Sequence, residues 1–233
     1  MLTHPDAPDL FLLEPADVRD GPRHGRRGWP AAAIAALPAA RLIFGWAGDY
    51  LSQPHPDLGR PGPVCPYVPQ SLRSSRFWVT AHHAARPEPA DLVRTVLRYR
   101  DWFGRLGPAE GHRAQLKTIL VLFPDIATAD APRLVDRAQL MLKTDFVRAG
   151  LMVGEFHPGP PQAPGLWNED FRPLRSPVPL LAIRHMVPSD LPFLTQDARH
   201  LAAYLSRFGD AIPPACRSRL AQAMPINASA DQT

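Results

Sequence analysis

Apolar and polar positions divide the chain into short regular segments joined by proline-rich loops. Leu37 to Leu51 reads as a helix, with Leu42, Ile43, Trp46 and Tyr50 recurring near helical spacing. Phe77-Trp78-Val79-Thr80-Ala81 predicts a short strand. From Pro89 to Phe103, Leu92, Val96, Tyr99 and Phe103 share one helical face, and Gly104 and Gly107 stop the helix. The continuous apolar run Thr118–Phe123, closed by Pro124-Asp125, predicts a strand buried on both faces. Asp130 is placed to cap the next helix, with Pro132 in the first turn, where a missing N–H does no harm. That helix carries Leu134, Val135, Ala138, Met141, Leu142 and Phe146 inward and ends near Gly150. Leu151–Phe156 and Leu180–Met186 predict two more strands. Asp197 to Phe208 closes the series as a helix, with Gly209 suited to its C-terminal cap.

Helices alternating with short strands at this spacing indicate a layered α+β domain. The last two strands, separated by a long loop, suit an antiparallel pair. The expected architecture is therefore a single domain, ferredoxin-like or a related sandwich of a small mixed sheet with packed helices. It spans residues 29–210. Residues 1–28 mix proline, glycine and charge without a period and read as a loosely ordered tail, and residues 211–233 read as a second one.

Composition narrows the function classes. With 233 residues, 45% of them hydrophobic and 21% charged, the chain can bury a real core and is not wholly disordered. Its 29 prolines are spread between the regular segments, so they act as loop stiffeners. The formal charge is +4, and Lys117 and Lys143 are the only lysines. Arginine in place of lysine suits bidentate binding of carboxylate or phosphate, though a GC-rich genome produces the same bias. No basic run interleaves with aromatics, so nucleic acid is not an expected partner. Cys65 and Cys216 lie far apart and indicate no disulfide framework. The N-terminus is acidic where a signal peptide would be basic, and Ala31–Ala40 is too short to span a membrane. These features point to a soluble cytoplasmic protein with no membrane partner. The common nucleotide, metalloprotease, hydrolase and CxxC motifs are missing from the sequence.

Three loops hold the chemistry: His55–Tyr67, Gly154–Gly159 and Asn168–Pro179. Cys65, with Pro63 and Pro66 nearby, sits on stiff, extended backbone, where a thiol can serve as nucleophile, redox centre or metal ligand, including a thiolate for heme iron, or simply as a small buried group. His157 follows a predicted strand, with Glu155 on the same face by alternation, a placement suited to proton transfer or ligation. Arg175 and Arg184, with Ser176 between them, can fix an anionic group, or else bond loop carbonyls and nearby carboxylates. His55 and Arg60 bracket Asp57 in the first loop. A metal held by His55, Cys65 and His157 would suit zinc or iron. Trp167 and Tyr67 can wall a pocket or act as hydrophobic lids.

Cys65-Pro66-Tyr67, Leu120-Val121-Leu122-Phe123-Pro124, Phe156-His157-Pro158 and Arg175-Ser176-Pro177-Val178-Pro179 with Arg184 occur in a characteristic order. In this the chain resembles the bacterial domain of unknown function 6875 family and, more distantly, the domain of unknown function 1415 family. The likeness runs from about Leu42 to Phe208, and neither family supplies an activity.

The residues alone lead to an expectation of an enzyme of bacterial specialised metabolism acting on a small anionic substrate. Arg175, Arg184, Ser176 and Arg60 would bind the substrate, and His157, Cys65 and Glu155 would carry the chemistry. Redox chemistry with a heme or another iron or zinc centre is the sharpest variant. The alternative is a non-catalytic small-molecule-binding or accessory protein using the same loops.

Overall fold

The computed structural model describes residues 1–20, 29–108, 111–162, 165, 167–212, 214 and 217. Before the central sheet come β1 (Leu2–His4), β2 (Ala7–Leu12), α1 (Pro15–Asp20), α2 (Ala31–Trp46) and α3 (Val68–Arg73). The body continues through β3 (Phe77–Ala81), α4 (Pro89–Arg105), α5 (His112–Gln115), β4 (Thr118–Leu122), α6 (Arg137–Arg148), β5 (Leu151–Phe156), β6 (Leu180–His185) and α7 (Ala198–Phe208).

Strands β3 to β6 form one sheet in the order β3-β4-β6-β5. β3 and β4 are parallel, with Phe77 opposite Thr118 and Ala81 opposite Leu122, and α4 makes the crossover that a parallel pair requires. β6 runs antiparallel to both β4 and β5. The result is a single α+β domain built on a small mixed sheet. Its chain order, β-α-β-α-β-β, and its parallel pair distinguish it from the β-α-β-β-α-β ferredoxin-like order. The last two strands are antiparallel across the long loop, as their spacing predicts.

The sheet is covered on both faces, which is why β4 reads as an unbroken apolar run. Alternation sends Ile119 and Val121 to one side, with Leu181 and Ile183, where Leu92, Val96 and Phe103 of α4 and Ala138, Leu142 and Phe146 of α6 pack. Leu120, Leu122, Leu180 and Ala182 face the other side, against α2. α7 adds a third cluster, with Leu201 and Tyr204 packing on Val147, Met152 and Leu191.

α2 begins six residues earlier than the period suggests, at Ala31, and accepts Pro38 in its interior. It continues through a π-helical turn, Ala47–Leu51. Its buried stripe is Ala33, Ala36, Ala40, Ile43, Ala47 and Leu51, mostly small residues that let the helix lie close to the sheet. Leu42, read from periodicity as core-facing, is 57% exposed. The 21-residue segment Ala31–Leu51 is long and apolar enough to cross a membrane by length and composition, contrary to the short stretch expected. In this fold its alanine stripe lies against the sheet.

The expectation of a loosely ordered tail fails for residues 1–20. β1 and β2 form an antiparallel hairpin, and Leu13 then pairs with Val79 through two backbone hydrogen bonds of 2.8 and 3.0 Å. Leu10 and Leu12 enter one layer of the core, while Phe11 and Leu13 enter the other. The segment thus covers the β3 edge, which would otherwise offer unpaired backbone groups. Asp17, 4% exposed, accepts the Met1 ammonium at 2.6 Å and the Glu14 N–H at 2.9 Å. Residues 21–28 lie outside the described residues, as do Cys216 and most of the expected C-terminal tail.

One expected cap differs, and the other stands where expected. Asp130 ends a 3-10 turn and faces Arg133 at 3.5 Å instead of capping, and the helix opens with a π-helical turn at Pro132–Asp136. Gly209 occupies the α7 C-cap in a right-handed conformation, and the chain continues into a 3-10 turn at Gly209–Ala211.

Candidate functional site

The three chemically rich loops meet through their backbones, and the first and third of them are joined most closely. The 3-10 turn Pro56–Leu58 is opened by His55, whose Nδ1 accepts the Asp57 N–H at 3.2 Å. The amide of Asn168 donates to the Asp57 carbonyl at 2.8 Å, tying that turn to the long β5–β6 loop. Gly59 makes the junction possible. Its φ is +76°, and a Cβ there would lie 2.8 Å from the Trp167 carbonyl oxygen, a position only glycine occupies without strain. The His55 and Phe171 rings lie 4.9 Å apart across the junction.

Between these loops and α2 opens a cleft of about 1160 Å³. Leu42, Trp46 and Tyr50, spaced four apart on the outer face of α2 and its π-helical turn, form one wall. His55, Phe171, Arg172, Arg175 and Pro158 contribute to the rest. Trp46 stacks near Tyr50 at 6.1 Å and meets Phe156 edge-on at 5.8 Å. Burial raises the Tyr50 pKa, an effect the Arg175 charge opposes, which places the two groups near one another.

Arg175 differs from the other candidate guanidiniums. It is exposed on the cleft wall and has no hydrogen-bond or ion-pair partner for its side chain among the described residues. Arg60 is committed to its own loop, donating to the carbonyls of Pro61 and Pro63 at 3.0 Å and of Val64 at 3.2 Å. Arg184 forms two 2.7 Å bonds to Asp190, which is 2% exposed and also accepts the Val187 N–H at 2.8 Å. Arg172 bonds the carbonyls of Glu169 and Phe171. Ser176 is buried beside the cleft, with its hydroxyl donating to Val178 O at 2.7 Å. Of the four expected substrate ligands, Arg175 alone has its side-chain donors available.

His157 and Cys65 do not line the cleft. Strand alternation separates them: Phe156 packs toward α2 with Cys65, and the next residue, His157, turns to the α6 side. There its ring is 2% exposed, and Nε2–H donates to Asp136 Oδ1 at 3.1 Å. Its Nδ1 is buried without a partner among the described residues, and a Cβ on Gly159 would stand 3.8 Å from it. Burial raises the Asp136 pKa against the opposing pull of His157. Glu155, on the same face, is pushed up to about 7 by burial, with the Asp136 carboxylate adding to the rise. The three form a sunken polar cluster. The main chain links it to the cleft, because Ser176 N–H donates to His157 O at 3.2 Å beside the Arg175 bridge.

Cys65 is half-buried, held by its N–H on Leu51 O at 2.9 Å. Its neighbours include Tyr67 and the Arg184–Asp190 pair, and burial raises the Tyr67 pKa. The expected metal set is not assembled. His55 lies in the cleft, His157 on the opposite side of the sheet and Cys65 apart from both. Among the described residues no three His, Cys, Asp or Glu side chains are grouped to hold a metal ion.

Residues 40–219 match the family described as Domain of unknown function (DUF6875). The chain belongs to that family. The match covers the cleft, the sunken cluster and Cys65, so all three lie within the DUF6875 region of the chain, whereas the N-terminal hairpin precedes it. No curated protein and no solved structure matches the chain.

Sequence reasoning missed the aromatic wall. Its signal was present in the four-residue spacing of Leu42, Trp46 and Tyr50. The alanine stripe beside it was too weakly hydrophobic to be read as the true core face.

Proposed function

We propose that this protein binds a small anionic ligand with a flat, apolar body, such as an arenecarboxylate, in the cleft between α2 and the β5–β6 loop. The acid group pairs with Arg175, and the ring lies among Trp46, Tyr50, His55 and Phe171. The observation that carries this reading is Arg175, an arginine without a side-chain partner among the described residues, in an aromatic-walled cleft. A guanidinium offers a planar donor fork to a carboxylate, and aromatic faces accept a flat ring. Most ligand clefts combine apolar walls with a few placed polar groups in this way.

A second reading, an enzyme acting on the same ligand, rests on His55. Its Nδ1 accepts the Asp57 N–H, so the neutral ring carries its hydrogen on Nε2 and can donate a hydrogen bond within the cleft. In that reading Arg175 orients the substrate and the His55 Nε2–H stabilises negative charge that develops on it. Cys65 and His157 take no direct part.

Titration calorimetry with benzoate, indole-3-carboxylate and their neutral amides tests the binding. Arg175→Ala is expected to weaken carboxylate binding about 10- to 100-fold, the scale of a charge-assisted hydrogen bond. Cys65→Ala is expected to change it less than about 2-fold, as for a residue outside the contact. Equal affinity for acids and amides, or loss of binding in Cys65→Ala with retention in Arg175→Ala, overturns the reading.

A further inference from the structure

On the far side of the sheet from the cleft, a pocket of about 330 Å³ lies between α4, the start of β4, the start of β5 and the end of β6. Phe103, Gly104, Ala149 and Leu151 form its apolar lining, and Arg100, Asp101, Lys117 and His185 its polar part. Lys117 is 1% exposed, a rare burial for an ammonium. Its Nζ donates to the carbonyls of Phe103 at 3.2 Å and Leu106 at 2.6 Å and sits 4.7 Å from the Phe103 ring centroid. Two carbonyls satisfy two hydrogens and neutralise no charge.

More positive charge surrounds it. Arg207 of α7 presses its guanidinium against Gly150, between the lining residues Ala149 and Leu151; at a φ of +71°, Gly150 leaves no room for a Cβ beside it. Arg76 lies close enough to Lys117 to act on its charge. His185 Nε2 is buried with no hydrogen-bond partner among the described residues. Arg100 has a counter-ion in Asp101, at 2.9 Å. Lys117, His185 and Arg207 meet no carboxylate among the described residues. Burial lowers the Lys117 pKa, and Arg76 adds to the fall. Burial, Lys117 and Arg207 together hold His185 down at about 4. A buried ammonium left without a counter-charge, with further cations around it, is costly, and a bound anion would relieve that cost.

We propose that this pocket is a second ligand site, which takes the phosphoryl group of a small phosphate monoester on Lys117 and Arg100, with Arg207 reaching it from beside Gly150 and the organic part of the ester against Phe103, Ala149 and Leu151. A doubly charged phosphoryl group answers several cations at once, where a single carboxylate answers fewer. The pocket volume exceeds that of inorganic phosphate and leaves space for an attached group. Binding brings negative charge beside His185, so the imidazole takes up a proton as the anion enters.

Calorimetric titration of the full chain with butyl phosphate, inorganic phosphate and sulfate tests this; butyl phosphate lacks the flat ring that the other cleft would take. Butyl phosphate is expected to bind saturably and at least 5-fold tighter than inorganic phosphate, which identifies the monoester as the source of the anion. Arg207→Ala, a change at an exposed side chain, is expected to weaken it about 10-fold, while Arg175→Ala leaves it within 2-fold. Sulfate keeps a constant charge over this range and is expected to bind more tightly at pH 5.5 than at 7.5, a dependence that His185→Gln removes. No saturable binding, equal affinity for phosphate and its ester, or a loss in Arg175→Ala instead of Arg207→Ala each overturns the proposal. The first and last outcomes leave the arenecarboxylate reading of the other cleft to its own titration.

Discussion

Glu155 offers the most direct physical test of this structure. Its carboxyl lies at the α6-side face of β5, beside Asp136 and His157, where burial moves its pKa from 4.5 to about 7. The native state therefore holds the proton more tightly than the unfolded chain does. Below pH 4.5 both states are protonated and Glu155 adds no cost. As pH rises toward 7 the unfolded chain ionises first, and above 7 the folded state carries a buried carboxylate. The gap from 4.5 to about 7 corresponds to roughly 3 kcal/mol, at about 1.4 kcal/mol per pH unit. Glu155→Gln replaces the acid with a neutral group of the same shape. The variant is expected to be more stable than the parent by roughly 3 kcal/mol at pH 8.5, and within about 0.5 kcal/mol of it at pH 4. Removing the charge also eases ionisation of Asp136, whose pKa burial raises, so the two effects act in the same direction. Urea unfolding followed by tryptophan fluorescence at pH 4, 6.5 and 8.5 measures the difference. A stability gain that is the same at all three values refutes the reasoning. So does a Glu155 carboxyl carbon that titrates near its ordinary value by NMR.

Two further perturbations probe what holds the cleft in shape. Asp190→Ala removes the acceptor of the half-buried Arg184 guanidinium and of the buried Val187 N–H and is expected to cost about 2 kcal/mol in urea unfolding; a loss below about 0.5 kcal/mol shows the pair to be dispensable. Gly59→Ala forces a side chain into a left-handed position against the Trp167 carbonyl and is expected to cost about 1–3 kcal/mol. It is also expected to weaken arenecarboxylate binding by displacing His55 from Phe171, and unchanged affinity shows that the junction does not shape the cleft.

Much of the scaffold was legible because its signals are local. Phe77–Ala81 and Leu151–Phe156 form strands over the residues their composition marks, and Pro89 and Asp197 open their helices at the expected places, while α4 runs through Gly104 to Arg105. Burial of the Thr118–Leu122 run on two faces follows from the lack of polar alternation in it. The N-terminal hairpin was not legible, because its stability comes from pairing with β3 and from Asp17 meeting Met1, both distant in sequence. The start of α2 was hidden in a similar way. Alanine carries little hydrophobic signal, yet its small size is what lets α2 approach the sheet.

The candidate site divides along the same line. Sequence alone determined which groups are chemically capable, since Arg175, His55, Glu155, His157 and Cys65 stand out by residue type and by the stiffness of their loops. It also determined that Glu155 and His157 share a face, because strand alternation is a property of the backbone. Tertiary structure decided which of these groups meet. Asn168 and Gly59 join two loops more than a hundred residues apart and bring His55 to Phe171. The one-residue step from Phe156 to His157 crosses the sheet, so the imidazole and the Cys65 thiol end on opposite sides of it. Partner choice decided the rest. Arg60, Arg184 and Arg175 are the same side chain, and only after packing do carbonyls claim the first, a carboxylate the second and no group among the described residues the third.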